Sequence, residues 1–158
     1  MAVDFYLKLD QINGESADAD HKDEIQLLSF SWGGTQVTSV AGTGGSGAGK
    51  VDLANLSVMK YMDKASAPLF KALVSGTHIP TGVLSAVKTG AGGKPFLKLS
   101  FEELFVTSQQ VSASSEIPSE SVSFSYNKIK IEYSTQNEQG ILTATGAVSF
   151  DLKANKPS

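Results

Sequence analysis

The stretch from residue 41 to residue 50 has the residue types that cradle a phosphate group in many nucleotide-binding proteins. Gly44, four further residues, Gly49 and Lys50 match most of the G-x-x-x-x-G-K-[ST] pattern. The last position is Val51, whose alkyl side chain lacks the hydroxyl that holds a magnesium ion. The residues that follow alternate like a strand, whereas a phosphate loop leads into a helix. We therefore interpret Lys50 as a solvated lysine at the start of a strand.

Nucleophilic catalysis would need a serine or a similar group beside a base. Ser46 lies between glycines as in the nucleophile elbow of hydrolases, but the closing position of G-x-S-x-G is Ala48 and the strand–turn–helix setting is missing. The two histidines, His21 and His78, both fall in predicted loops. We therefore interpret Ser46 as a small loop residue and predict no catalytic triad.

Acidic residues are densest just before the second predicted strand, and oxygen ligands at such a density could hold calcium. The sixth position of a calcium loop that starts at Asp18 is Asp23, where the sharp turn requires glycine, so we expect no metal site. This acidic cluster consists of Asp18, Asp20, His21, Asp23 and Glu24.

A second pair of acids, Glu102 and Glu103, are neighbours on a predicted strand. Their side chains face opposite sides, so they cannot share a substrate, and we interpret them as a bulge with one exposed acid.

The composition narrows the class of protein further. The 158 residues include no cysteine, which excludes disulfides and thiolate metal sites, and the thirteen basic residues are all lysine. The missing arginines, with a net charge of -3, argue against nucleic-acid binding. No stretch is apolar and long enough to cross a bilayer, and residues 1–10 lack the pattern of a signal peptide. We expect no catalytic residue and no cofactor, and if the chain is exported, a route other than general secretion.

Period-two hydrophobic patterns predict about seven strands and little helix, which indicates a mainly β barrel or sandwich in one domain, residues 1–158. Several strands shift their hydrophobic phase midway, which predicts bulges and a curled sheet. Polar loops are expected at residues 13–22, 41–50 and 108–121. The predicted strands are 3–9, 25–38 with a break at Gly33-Gly34, 51–61, 83–88, 96–107 with a slip at Glu102-Glu103, 122–133 with a slip at Asn127-Lys128, and 141–152.

One helix is predicted between the strands. Ser66 offers an N-terminal cap, Pro68 suits the first turn and Gly76 suits the C-terminal stop. The apolar stripe of this helix must cover the sheet or a neighbour, because so short a helix is marginal alone. The stripe consists of Leu69, Phe70, Leu73 and Val74.

The run from Ser29 to Gly33 has short hydroxyl side chains on one face. Alternation places Ser29 and Ser31 on that face, and Phe30 and Trp32 on the other, where they join the core. Ser29 and Ser31 then face water or a partner. A wall of short hydroxyls makes a wet lining of low affinity instead of a tight pocket.

From Met1 to about Tyr133, the chain resembles the haemolysin-coregulated protein (Hcp) family, the tube subunits of bacterial type VI secretion systems. Departures occur at Gly34-Thr35 and at Ala67, and the last segment matches more loosely. The residues that carry the resemblance are Gly14-Glu15-Ser16, His21, Glu24-Ile25, the run Ser29 to Gly33, the run Gly44 to Val51, the run Lys60 to Ser66, Gly76, Glu120, Val122 and Phe124.

The resemblance implies a β-barrel of two antiparallel sheets with one flanking helix, similar to phage tail tubes, that assembles into hexameric rings. The rings would stack into a tube that a contractile sheath ejects with a spike protein at its tip and effector proteins in the lumen. The chain would be made in the bacterial cytoplasm and secreted without a signal peptide. Stacking or subunit contacts would then fall to the glycine-rich arm (residues 41–50), with candidates Gly42, Thr43, Gly44, Gly45, Ser46, Gly47, Ala48 and Gly49.

Within such a tube, Ser31 first and Ser29 second are the candidates for lumen or cargo contact. The resemblance thus implies a non-enzymatic structural protein whose partners are copies of itself, the spike, the sheath and effectors, and the composition adds the expectation of no nucleic acid and no membrane insertion. The alternative is a monomeric β-sandwich that acts as a binding or adhesive module. A nucleotide hydrolase is a third option, and it would require Lys50 for ATP binding.

Overall fold

The computed structural model describes residues 2–38, 48–89 and 94–157. These residues form twelve strands and one helix, and all strand pairs are antiparallel. In chain order the elements are β1 (Val3–Leu9), β2 (Ile25–Leu27), β3 (Ser29–Ser31), β4 (Gly34–Thr38), β5 (Ala48–Leu53), β6 (Leu56–Tyr61), α1 (Ser66–Ser75), β7 (Ile79–Lys88), β8 (Pro95–Ser112), β9 (Ser119–Ser125), β10 (Lys128–Gln136), β11 (Leu142–Asp151) and β12 (Lys156–Pro157).

Two sheets share one long strand. The first sheet has the order β12-β11-β10-β8-β7-β1-β2, and the second sheet has the order β3-β6-β9-β8. The strand common to both is β8, which pairs with β7 as far as Leu104 and with β9 from Phe105 onward. Just before this change of sheet, Glu103 has a φ of 53°, so the strand bends there. The predicted phase slip at Glu102-Glu103 is therefore confirmed, and it is the corner between the two sheets.

The core lies between the sheets and is built from alternate residues of each strand. From the first sheet, Leu7, Leu84 and Leu99 are buried, and from the second, Val58 and Phe124. Each fully buried side chain of this kind contributes roughly 1.5–3 kcal/mol to the stability of the fold. The mainly β class with two antiparallel sheets and one helix is as predicted.

Three predicted strands are each two or more separate strands, because a corner replaces the expected bulge. Residues 51–61 divide into β5 and β6, and residues 122–133 divide into β9 and β10, which belong to different sheets. Residues 25–38 divide into three short strands, with the last break at the predicted Gly33. A phase slip in sequence does not distinguish a bulge from a change of sheet, since both shift the alternation by one residue.

The predicted polar loop at residues 108–121 is wrong over most of its length. Strand β8 continues to Ser112, and β9 already begins at Ser119. The many serines of this segment suggested a loop, but pairing between β8 and β9 decides its structure, because strand preference depends on cross-strand neighbours. The predicted loop at residues 13–22 is confirmed, since all of it lies between β1 and β2. Within it, the backbone of Glu24 and Ile25 comes so close to Gly14 that a Cβ on Gly14 would lie 2.5 Å from it.

The N-terminus of helix α1 differs from the prediction, because Ser66 is not the N-terminal cap. The residue before it is Ala65, which makes no side-chain cap, and Ser66 lies inside the first turn, where its hydroxyl accepts a hydrogen bond from the Asp63 amide at 3.1 Å. Gly76 ends the helix with a φ of 65°, as predicted. Leu69 is buried and Leu73 is half-buried.

The rest of the predicted apolar stripe does not cover the sheet. Phe70 is 48% exposed and Val74 is 68% exposed, because both lie on the side of the helix that faces away from β8. The buried stripe of the helix is therefore narrower than predicted. Ala72 is buried in it, whereas Phe70 and Val74 are not.

Candidate functional site

The exposed face of the second sheet carries the two serines singled out in the sequence. Ser29 and Ser31 are both exposed on β3, whereas Phe30 and Trp32 are half-buried and pack against the core. Cross-strand pairs join Ser29 to Met59 and Ser31 to Ser57 on β6. The predicted orientation is therefore confirmed, and the serines lie on a continuous sheet surface.

More serines extend this face across the sheet. Ser57 pairs with Ser123 on β9, and their hydroxyl oxygens are 3.1 Å apart. Ser123 in turn pairs with Ser108 on β8, so one row crosses all four strands from Ser31 to Ser108. Sequence reasoning missed the residues beyond β3, although the alternating serines of residues 119–125 carried the signal.

A buried ion pair lies beneath this face. Lys60 on β6 and Glu120 on β9 are cross-strand partners that point inward, and they are 0% and 1% exposed. The Lys60 ammonium contacts the Glu120 carboxylate and also donates to Asp63 Oδ1 at 2.8 Å. The Ser66 hydroxyl donates to Glu120 Oε1 at 2.8 Å. The pair thus ties the start of α1 to two strands of the second sheet.

The amide of Gln109 completes this network. Its Nε2 donates to Glu120 Oε2 at 2.9 Å and to the Ser66 carbonyl at 3.2 Å. Burial on its own raises the pKa of Glu120, but the hydrogen bonds from Lys60, Gln109 and Ser66 and the charge of Lys60 outweigh burial, so the pKa lies below its ordinary value. Glu120 is therefore held ionised, and the network joins the first turn of α1 to β6, β8 and β9.

The base of the glycine-rich arm is anchored on Tyr126. The Trp32 indole N–H donates to the Tyr126 hydroxyl at 2.5 Å, and that hydroxyl donates to the Ala54 carbonyl at 2.8 Å. The Ala54 amide donates to the Gly33 carbonyl at 2.8 Å, which closes the base of the β4–β5 hairpin. Burial raises the pKa of Tyr126, while the indole hydrogen bond lowers it by a smaller amount, so the phenol stays protonated.

The arm candidates fall mostly outside the described residues. Gly42, Thr43, Gly44, Gly45, Ser46 and Gly47 all do, while Ala48 and Gly49 lie in β5, where Ala48 pairs with Thr38. Lys50 also lies within β5, which continues to Leu53. A strand follows the glycines, not a helix, so the structure contradicts the geometry of a phosphate loop.

The two histidines lie in different surroundings. His21 is buried, stacks on Tyr6 with ring centroids 4.4 Å apart, and has its Nδ1 3.0 Å from Glu24 Oε2. Burial raises the pKa of Tyr6, and the nearby carboxylates of Asp18, Asp4 and Glu24 raise it further. His78 is exposed after the helix, as expected for a connection residue.

The prediction that only one acid of the Glu102-Glu103 pair is exposed is wrong, because both side chains are exposed at the corner of β8. Glu102 lies 3.6 Å from the Lys128 ammonium, and Glu103 contacts the Asn127 amide and, at 3.1 Å, the Lys153 ammonium. The hydrogen bonds from Asn127 and Lys153 hold the pKa of Glu103 below its usual range. Each carboxylate has its own cation.

No group of three or more histidine and carboxylate side chains is placed to hold a metal ion in residues 2–38, 48–89 and 94–157. Within the same ranges, no helix has the length and apolar character needed to cross a membrane.

Comparison with known proteins gives consistent matches. Residues 6–133 match the family model described as "Type VI secretion system effector, Hcp". The chain is 35% identical over 143 residues to protein hcp1 of Pseudomonas aeruginosa, covering 89% of this chain and 88% of that protein.

Solved structures agree with these matches. One described as a type six secretion system protein superposes with a TM-score of 0.93 at 33% identity, over 99% of this chain and all of the other. Hcp1 from Salmonella typhimurium gives a TM-score of 0.79 at 34% identity, over 99% of this chain and 100% of that one. A tube-terminating cap of the anti-feeding prophage, at 14% identity and a TM-score of 0.55 over 82% of this chain and 87% of that one, shares the fold alone.

Proposed function

Because the chain belongs to the Hcp family of type VI secretion proteins, we propose that six copies close into a ring, that rings stack into a secreted tube, and that effector proteins travel in its lumen. The observation that carries the proposal is the likeness of the whole fold, with a TM-score of 0.93 to a type six secretion system protein. Chain 1–158 would act as one tube domain with a structural and non-enzymatic role.

Unpaired strand edges support ring closure. Among the described strands, β3 pairs only with β6, and β2 pairs only with β1. Exposed edges of this kind are templates for pairing with another chain. Contacts between unlike edges of successive copies close into a ring when the rotation between copies allows it. We infer that the free edges of this chain are covered by neighbouring copies.

The glycine-rich arm would join one ring to the next. The β4–β5 hairpin is a separate two-stranded sheet whose base is fixed by Trp32 and Tyr126. A bare glycine backbone can pair with the strand edge of a neighbour without side-chain selectivity. Residues Gly42 to Gly49 are therefore the proposed stacking contacts.

The exposed face of the second sheet would line the lumen, with Ser31 and Ser29 as cargo contacts. Short hydroxyls bind weakly, but six copies around one bore retain a passenger that a single copy would release. On this proposal the remaining partners, the spike and the sheath, meet the tip and the outside of the tube. The protein would be made in the bacterial cytoplasm and leave it by the type VI route.

Size-exclusion chromatography with light scattering tests ring closure directly. A ring has six times the 16.6 kDa mass of one chain, about 100 kDa. A mass of one chain at all concentrations would contradict the proposal and favour the monomeric β-sandwich module.

A further inference from the structure

The exposed face of the second sheet is uncharged, because its charged residues are buried. Strands β3, β6 and β9 and the second-sheet part of β8, Phe105 to Ser112, contain two charged residues, Lys60 and Glu120, and both point inward and pair with each other. The exposed side of these described segments therefore carries no charged side chain. The outer face of the first sheet differs, since it presents Lys98, Lys128, Lys130, Glu102 and Glu132.

Two neighbouring apolar side chains of β6 interrupt the hydroxyls of this neutral face, and a third, Phe105, lies two strands away on β8 opposite Ser125. Met59 is 39% exposed and Tyr61 is 50% exposed, and both lie on the outward side of β6, about 7 Å apart along the strand. Serines surround them: Ser29 and Ser121 are the cross-strand partners of Met59, and Ser119 is the partner of Tyr61. The pair is an apolar island in a hydroxyl surface.

We propose that Met59 and Tyr61 are the anchor for passenger proteins, and that they bind an uncharged, apolar segment of the passenger. The neutral face offers no ion pair to a charged segment, and burying a charge against it without a partner costs free energy. An apolar segment instead gains by covering the exposed thioether and phenol ring, and methionine adapts to differently shaped apolar partners. This inference rests on the proposed role of the face as a lumen wall.

The serines set the strength of this contact. They add hydrogen bonds that water can equally supply, so they contribute little net affinity. The affinity of one copy is then modest and comes from the apolar pair, which suits a passenger that must be released after transport. Six repeats of the anchor around a bore would supply retention through multivalency.

The test uses the full-length protein and a defined probe, a fluorescein-labelled Gly/Ser peptide with a central Leu-Phe-Leu. Its comparison peptide has serine at those three positions. Fluorescence anisotropy is measured for the unmodified protein, for Met59→Ser with Tyr61→Ser, and for Met59→Gln with Tyr61→Gln, in which longer polar side chains replace the apolar ones. The matched control is Phe70→Ser with Val74→Ser, because these helix residues are also exposed and apolar.

We expect the apolar peptide to bind the unmodified protein, and both Met59/Tyr61 variants to lose about tenfold in affinity while the helix control loses less than about twofold. Raising salt from about 50 mM to about 500 mM should leave the affinity within about twofold, because no ion pair is involved. Absence of binding, equal loss in the helix control, or a steep fall with salt would overturn the anchor.

Light scattering on the same samples separates this inference from the proposed function. Rings that bind no apolar peptide contradict the anchor and leave the tube intact, whereas peptide binding by a monomer that depends on Met59 and Tyr61 contradicts the tube and supports the anchor. If the substitutions at Met59 and Tyr61 make the rings dissociate into single chains, these side chains contact a second copy of the chain and not a passenger, and the proposal is wrong.

Discussion

Lys60 and Glu120 are buried although each carries a charge, and the network around them explains why the fold accepts them. Each ion loses its hydration, which costs several kcal/mol. Lys60 regains a hydrogen bond by donating to Asp63, and Glu120 accepts hydrogen bonds from Ser66 and Gln109. Removing one partner would leave the other charged and unpaired in the core. The position is therefore far more sensitive to single than to paired substitution.

Lys60→Met should destabilise the protein by about 3–5 kcal/mol, whereas Lys60→Met combined with Glu120→Leu should cost less than the single change. Urea unfolding measures both. The matched control is Glu102→Gln, which removes an exposed carboxylate 3.6 Å from Lys128 and should change stability by at most about 1 kcal/mol. A single variant as stable as the double variant would contradict the account.

The pH dependence of the unmodified protein follows from the same residue. The pKa of Glu120 lies below its ordinary value of 4.5, so the unfolded chain takes up the proton first on acidification. Its stabilising contribution is present above pH 4.5 and is lost as the pH falls below that value. In Glu120→Gln, urea unfolding should show a weaker loss of stability below pH 4.5 than in the unmodified protein.

Ser31 offers a residue-scale test of the lumen. Ser31→Gln places a longer side chain on the exposed face of β3. It should reduce the amount of co-purified effector several-fold while rings persist, because the longer side chain prevents the effector from packing closely against this face. The control is Lys98→Gln on the outer face of the first sheet, which should retain the effector. Equal retention by Ser31→Gln would remove this assignment.

Single residues differed in how far the sequence could predict them. The exposure of Ser29 and Ser31 followed from strand alternation alone. The pairing of Lys60 with Glu120 did not, because 60 positions separate them and only the order of β6 and β9 in the sheet brings them together. Ser66 was misread for the same reason, since its partner Glu120 is also distant in sequence.

At the scale of elements, the β4–β5 hairpin is distinct because it pairs with no other described strand. Its base is fixed by the hydrogen bonds from Trp32 to Tyr126 and from Tyr126 to Ala54, and Leu53 of β5 packs against the core. A short hairpin is marginal without such anchors. This arrangement suits an arm that becomes fully covered only against another copy.

Replacing Gly44, Gly45 and Gly47 together by leucine should leave the ring mass unchanged and reduce stacking of rings, because bulky side chains block close backbone approach. Electron microscopy of concentrated samples measures filament length, and light scattering checks the ring. The matched control is leucine at the exposed positions Gln139 and Thr143 of the β10–β11 hairpin. Filaments of normal length in the glycine variant would refute the stacking role.

Element types were easier to predict than element ends. The helix stop at Gly76 was correct, because a φ of 65° favours glycine. The division of residues 51–61 into β5 and β6 was missed, since the intervening Ala54-Asn55 has no glycine or proline to mark a break. That break depends on the Ala54 contacts with Gly33 and Tyr126, which are tertiary.

On the scale of the whole molecule, the two sheets present unlike outer surfaces. One is charged and carries exposed ion pairs such as Lys128 with Glu102, and the other is neutral and lined with serine. A body with two unlike faces and free strand edges suits a ring in which one face turns inward and the other outward. The fold class could be read from strand periodicity, but this segregation emerged only once the strand order placed Lys60 and Glu120 inside.

Negative-stain electron microscopy of the purified protein tests the central claim most directly. The account predicts particles that average to sixfold rings with an open bore, each with about six times the mass of one chain. Compact particles without a bore, at the size of single chains even in concentrated samples, would contradict it.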